Sequence, residues 1–407
     1  MGGASSSKQV EPSETPTFFT QEELIKLKST FETGGVKNIK PLIQQKLTEL
    51  DNTELNIAVT GEAGTGKSTF INAMRGLKYS DEGAAEVGNI ETTTEPSRYP
   101  HPSLPNVCFW DLPGIGTRKF EAHKYLKAVQ FQRYDFFIII ADCRLRENDI
   151  KLVKEIQKMG KNFYFVRSKI DNDLDSMRKQ RGNINDKEEL KDIRKNHVSE
   201  LREAGIPDPS VFLVSSLYPK KYDFILLNET LEHDLPNVKK SIFVLALPNL
   251  NIGIVQKKSE VLKKRVWMLA TLSGTVGAIP VPGVSLACDI SILIGGIIHF
   301  RKCLGLDDAS LQRLANRADI PVNKMKAELK HPLLGEINKD LITRLSLGTA
   351  VVAVSAVEIG LYAFPVLGSI FGAGSSFLMT YTILSDALKV LTEHAERVVK
   401  VAFLTIK

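Results

Sequence analysis

Leu55-Asn56-Ile57-Ala58-Val59-Thr60-Gly61-Glu62-Ala63-Gly64-Thr65-Gly66-Lys67-Ser68 decides how this chain is read. A strand-like apolar run leads straight into G-x-x-x-x-G-K-S/T, the spacing of a phosphate-binding loop. Gly61 and Gly66 let the backbone curl so that successive N–H groups point inward at phosphate oxygens. Lys67 reaches the β- and γ-phosphates, and the Ser68 hydroxyl is a ligand for Mg²⁺. The helix that starts here adds its positive end. Gly61, Gly64, Gly66, Lys67, Ser68 and Thr69 are therefore the expected phosphate-binding residues, with Lys67 also catalytic. The competing reading is a Gly-rich turn that binds nothing, and the rest of the chain argues against it.

Three further signals follow in order. Val107-Cys108-Phe109-Trp110 reads as a short strand ending in Asp111-Leu112-Pro113-Gly114, a D-x-x-G pattern. There Asp111 is expected to hold Mg²⁺ through a water, and the Gly114 N–H to sense the γ-phosphate. Asn162-Phe163-Tyr164-Phe165-Val166 reads as another strand and runs into Ser168-Lys169-Ile170-Asp171, which fits N/T/S-K-x-D. A carboxylate at Asp171 can accept from both N1 and N2 of guanine, a donor pair that adenine lacks. The stem of Lys169 can lie along the base. A last strand, beginning at Val211, ends at Ser215 and Ser216, where a base-contacting loop is expected.

Each later pattern is weak alone. Their order, each at a strand end, points to a guanine-nucleotide triphosphatase using GTP/GDP and Mg²⁺. The loop between the first two motifs offers Thr92, Thr93 and Thr94 as a ligand that orders with the triphosphate, and the pattern does not choose among them. Ile115 follows Gly114, with no Gln to position water and no obvious arginine finger. Slow intrinsic hydrolysis, completed by a partner or a second copy, is the consequence.

These residues carry a resemblance. G-E-A-G-T-G-K-S-T-F-I-N (61–72), E-G-A-A-x-x-G-x-x-E-T-T (82–93), Y-P-H-P-x-L-P-N-V (99–107), W-D-L-P-G-I-G (110–116), Y-D-F-F-I-I-I (134–140) and N-F-Y-F-V-R-S-K-I-D (162–171) resemble the immunity-related (interferon-inducible) GTPases. Tyr222-Asp223-Phe224, Asp234-Leu235-Pro236 and the segment 305–311 extend the likeness into the later helical part. Residues 279–283 and 395–398 resemble most the interferon-inducible GTPase 5, or cinema-type, branch. The resemblance implies GTP-dependent homo-oligomers, hydrolysis that rises on assembly as in dynamin-like proteins, action at intracellular membranes in innate immunity, and pairing with other family GTPases. It also implies Glu91 as the catalytic switch glutamate and Thr93 as a catalytic and Mg²⁺-sensing threonine. Lys67 places the chain with members that keep the loop lysine. Ser216 departs from the Asn often found there, which puts that base contact in question.

With 407 residues the chain is long enough for two domains, and its 43% apolar content suffices for real cores. A net charge of +6 is mild, and the basic residues between Arg178 and Arg202 are interspersed with acids. That is a solvated helix face, so nucleic acid is not an expected partner. Cys108, Cys143, Cys288 and Cys303 lack metal-ligand spacing and read as reduced thiols of a cytoplasmic protein. Met1-Gly2-Gly3-Ala4-Ser5-Ser6 fits a myristoylation signal at Gly2, against the alternative of a flexible tail. One acyl chain anchors weakly, so a second membrane signal is required. Two uncharged runs, 266–288 and 359–385, are long enough for it, and 345–357 precedes the second. Both are broken by Pro or Gly, and Gly368 and Gly372 allow close helix contact. They read as buried bundle helices or as membrane-inserting hairpins.

The expected architecture is α/β, a doubly wound P-loop GTPase sheet flanked by an all-helical domain. Residues 1–17 are a flexible N-terminus, 18–50 an amphipathic helix with Phe18, Leu24, Leu27 and Phe31 on one face, 52–236 the GTPase domain and 237–407 a C-terminal helical part. The resemblance joins 18–50 to 237–407 in one domain. The expected protein is a dynamin-like GTPase, cytoplasmic and peripheral to intracellular membranes. A GTP-gated membrane scaffold with negligible turnover is the alternative.

Overall fold

Six strands form one sheet: β1 (Leu55–Thr60), β2 (Ser97–Pro100), β3 (Val107–Asp111), β4 (Phe136–Ala141), β5 (Asn162–Arg167) and β6 (Val211–Leu213). Their order is β2-β3-β1-β4-β5-β6. All neighbours are parallel except β2, which runs antiparallel to β3 at the edge. The computed structural model describes residues 21–87, 95–114, 121–277, 284–349 and 375–403. Gly2, Glu91 and Thr93 lie outside them, as do Phe18, 359–374 and Gly368 with Gly372.

The strands are apolar on both faces because helices cover both. Ile57, Val59, Ile138 and Ile140 face one core, with Phe70, Phe224 and Phe243. Ala58, Phe137, Ile139 and Phe165 face the other, with Leu126, Leu152, Ile156 and Leu201. The first core takes its helices from α2 (Lys67–Met74), α7 (Phe224–Asp234) and α8 (Asn237–Ala246). The second takes α3 (Ala122–Ala128), α4 (Glu147–Lys158), α5 (Ile170–Arg181) and α6 (Asp186–Glu203). The edge strand β2 is not anticipated by the sequence reading. It is 4 residues long, half-buried and ends in Pro100, so it has no readable alternation. Proline is tolerated there because an edge strand leaves one row of amides unpaired.

The first helix of the chain, α1 (Gln21–Asn52), packs Ile39, Ile43 and Leu47 against Trp267 and Met268 of α9 (Ile252–Gly277). Leu27 is buried in the same cluster. After α9 come α10 (Val284–Cys303), α11 (Asp308–Ala318), α12 (Val322–Lys326), α13 (Lys339–Thr349) and α14 (Ser375–Phe403). Leu262, Val266, Leu293, Ile297, Phe300, Leu384 and Leu391 form the core between α9, α10 and α14. Inside it, the Ser273 hydroxyl donates to Asp289 Oδ1 at 2.5 Å and lies 2.7 Å from Thr380 Oγ1, all three buried. A buried carboxyl group is stabilised where hydrogen-bond donors satisfy it, as these hydroxyls do. The uncharged run from Val266 is thus packed against other helices as far as it is described. Among the described residues, no helix is long and apolar enough to cross a membrane.

Candidate nucleotide site

β1 delivers the glycine-rich loop at its carboxyl end. Gly61 sits at φ 144° and Gly66 at 92°. A Cβ on Gly61 would lie 2.1 Å from the Ile140 carbonyl oxygen of β4, so no side chain fits there. Gly66 caps α2 in the left-handed region, where glycine carries no Cβ penalty. Phe70, Ile71, Ala73 and Met74 bury α2 under the sheet and aim its amino end at the loop. Thr69 is half-buried in its first turn.

Lys67 Nζ donates to the carbonyls of Gly61 and Glu62, each at 3.0 Å, so the ammonium lies across the concave face of the loop. Ser68 Oγ donates to Asp111 Oδ2 at 3.0 Å, which brings two of the expected metal residues together, one from α2 and one from β3. Asp111 is 2% exposed, and its Oδ1 has no partner among the described residues. Burial pushes its carboxyl above the usual range, while Lys67 and the Ser68 hydroxyl pull it back. A buried, half-satisfied carboxylate beside a hydroxyl fits Mg²⁺, which is held by one or two protein oxygens with phosphates and waters. No cluster of three or more His, Cys, Asp or Glu forms an all-protein cage among the described residues. Gly114 follows at the mouth, half-buried; the preceding Pro113 carbonyl accepts from Tyr125 OH at 2.9 Å.

β5 brings the third motif alongside. Ser168 Oγ reaches the Thr65 carbonyl at 2.6 Å and the Ala141 carbonyl at 3.2 Å. Lys169 adopts φ 55°, a strained conformation for a residue with a Cβ. Its Nζ donates to the Gly64 carbonyl at 2.5 Å and to Asp142 Oδ2 at 2.9 Å. The segment expected to read guanine is therefore fastened to the phosphate loop at two points. Asp171 stands in the first turn of α5, half-buried, with no hydrogen bond or ion pair to a described residue. Its neighbour Asp173 is held by Arg167. Ser215 is fully buried and its Oγ accepts from the Tyr218 amide at 3.2 Å, so this hydroxyl shapes the turn; Ser216 beside it is half-buried.

Sequence reasoning missed three residues here. Asp142 pairs with Lys169, Arg146 pairs with Glu62 of the loop, and Tyr125 OH contacts Thr60 Oγ1 at 3.0 Å. Asp142 had a usable signal: it directly follows β4, whose carboxyl end falls between two motif-bearing strand ends. Tyr125 comes from α3 and Arg146 caps the start of α4, and neither carries a motif.

The family model described as Interferon-inducible GTPase (IIGP) matches residues 20–392. Among curated relatives, the chain is 39% identical over 393 residues to Interferon-inducible GTPase 5 of Rattus norvegicus, covering 96% of this chain and 84% of that one. It is 40% identical over 389 residues to the Bos taurus protein of the same name, covering 95% and 83%. To Interferon-inducible GTPase 1 of Mus musculus it is 40% identical over 343 residues, covering 81% and 83%.

Proposed function

This chain belongs to the interferon-inducible GTPase family, and from that premise we propose that it binds GTP with Mg²⁺ at the site above, hydrolyses it to GDP as an assembled homo-oligomer, and acts at intracellular membranes in cell-autonomous innate defence. The observation that carries the site is the 3.0 Å contact of Ser68 with Asp111 beside the Lys67 ammonium. It joins a hydroxyl, a carboxylate with a free oxygen and a cation at the glycine-rich loop. Bound Mg²⁺ would neutralise charge on the β- and γ-phosphates, held by Ser68, Asp111 and, on the family resemblance, Thr93. Lys67 would exchange its two carbonyl partners for phosphate oxygens. Asp171 would accept from the guanine edge while the Lys169 stem covers the base. Glu91 would orient the attacking water, and the Gly114 N–H would report the γ-phosphate.

Membrane action and pairing with other family GTPases rest on the family alone. A myristate at Gly2 would contribute a weak anchor and needs a second contact. Cytoplasmic, membrane-peripheral residence follows from that reading.

The test is GTP turnover per molecule across a range of protein concentrations, with Lys67→Ala as control. Specific activity that climbs with concentration supports completion of the site in trans. Activity flat and near zero with GTP still bound would replace this reading with a GTP-gated scaffold. Failure to bind GTP at all would overturn the site assignment.

A further inference from the structure

The carboxyl end of α2 meets α9, α10 and α11 around a cavity of about 70 Å³. α2 is 8 residues long, so this place lies about 12 Å from the phosphate loop, at the opposite end of the same helix. The cavity is lined by Arg75, Lys258, Lys302, Arg313 and Arg317, and by no Asp or Glu.

The partners of these cations are neutral. Arg75 is 5% exposed; its Nε donates to the Pro100 carbonyl at 3.1 Å, and its Nη1 is buried with no partner. Lys258 is 4% exposed and donates to the Cys303 carbonyl at 3.0 Å. Arg317 directs both terminal nitrogens at the Ala73 carbonyl, each at 3.3 Å. Arg313 reaches the Ser310 and Ser103 hydroxyls at 2.7 and 3.2 Å. Asp81 and Asp307 favour the charged forms of Arg313 and, for Asp81, Arg317 from outside the cavity wall, but neither makes a hydrogen bond to them: Asp81 accepts from the Lys78 amide and Asn316, and Asp307 from the Ser310 amide at the start of α11.

A charge taken out of water without a counter-charge costs several kcal/mol, after relaxation, by general estimates. Burial pushes Arg75 and Arg317 down to about 10 and Lys258 down to about 8. The α2 dipole offsets part of this, since cations are favoured at a helix carboxyl end. That end supplies only about half an elementary charge, short of the two cations, Arg75 and Lys258, that are most deeply buried here.

We propose that this cavity binds a phosphate dianion, either inorganic phosphate or a phosphomonoester group, and that the bound anion clamps the end of α2 to α9, α10 and α11. Arg75 Nη1 is a buried donor at this wall without a partner among the described residues. Arg313 and the two serine hydroxyls line the same space. Because α2 begins at the phosphate loop, the clamp would stiffen the helix that positions Lys67 and Ser68.

The test titrates inorganic phosphate into the full-length chain saturated with GDP, at constant ionic strength in chloride, and reads thermal unfolding and heats of binding. Saturable stabilisation is expected. Arg313→Gln and Arg75→Gln should each weaken it about tenfold, the loss of one charge-assisted hydrogen bond. Lys302→Gln, at an exposed side chain, covers the case in which Arg75→Gln fails to fold. The phosphate response should persist in Lys67→Ala, which separates this site from the nucleotide site. A parallel arm measures sedimentation with vesicles of phosphatidylcholine, with and without phosphatidylinositol 4-phosphate. Arg313-dependent binding to the latter assigns a lipid headgroup as the source, and a response to free phosphate alone assigns a soluble one. Absence of both responses, or responses unchanged in Arg313→Gln and Lys302→Gln, would overturn the proposal.

Discussion

Helix α2 carries cations at both of its ends, in two different kinds of setting. At the amino end, Lys67 and Lys169 rest on carbonyls of a loop made of glycines, and the carboxylates Asp111 and Asp142 stand within the same site. At the carboxyl end, Arg75, Arg313 and Arg317 project from packed helices or their caps onto carbonyls and hydroxyls, with no carboxylate in the cavity wall. The anion binding proposed at the first end depends on backbone shape, the curled loop and the positive helix end, with the side chains closing over it. The second depends on side chains alone, and there the helix dipole favours cations. A loop built on positive φ tolerates little substitution, whereas a rim of long side chains can lose one member and keep its form.

The largest expected effect probes that asymmetry. Gly61→Ala puts a methyl group 2.1 Å from the Ile140 carbonyl oxygen at a φ of 144°. It should cost about 3 kcal/mol or more and abolish GDP binding, seen as a lowered urea midpoint and loss of nucleotide in equilibrium dialysis. A wild-type midpoint would show that the loop yields as easily as the opposite end.

Asp171→Asn should come next. Replacing the carboxylate by an amide leaves guanine N1 and N2 facing one acceptor and one donor. GTP affinity should fall about tenfold to a hundredfold while xanthosine triphosphate binds better than GTP, read by competition with a fluorescent GDP analogue. An unchanged preference for GTP over ATP and xanthine nucleotides would remove Asp171 from the site.

The smallest effect belongs to the carboxyl end and to pH. His101 lines the cavity and is 7% exposed, with Nδ1 accepting from the Ser103 and Leu104 amides at 3.3 and 3.2 Å. Burial, then the neighbouring Lys258, Arg313 and Arg75, hold it well below the ordinary 6.5. The folded state therefore prefers neutral His101, while the unfolded chain takes up a proton near pH 6.5. Its contribution is complete above that pH and is lost as pH falls below it. Stability should drop by about 1 kcal/mol between pH 7.5 and 5.5 from this group, and His101→Gln should flatten that part of the profile in urea titrations at both pH values.

Much of the amino end was legible in the chain. The glycine spacing announces the loop because the backbone conformation requires it, and the motifs at Asp111 and Asp171 sit at the ends of strands recognisable as apolar runs. The pairing of Ser68 with Asp111 follows once β1, which leads into the loop, lies beside β3. Less legible were Asp142, which follows a strand without a motif, and β2, too short to show a period. The cavity at the other end was not legible at all. Arg75 and Arg317 are far apart in sequence and each looks like an ordinary surface residue of a helix. The same holds for Ser273, Asp289 and Thr380, which meet only where three helices cross.

By itself the sequence determined the phosphate loop, the order of the motif-bearing strands and the family, because each is written in local spacing that backbone geometry demands. Only the tertiary structure decided which cations share a cavity, which carboxylate steadies Lys169 and which helix buries the start of the uncharged run at Val266. Those contacts join residues brought together by helix packing, where side-chain volume and crossing geometry, not chain proximity, select the neighbours.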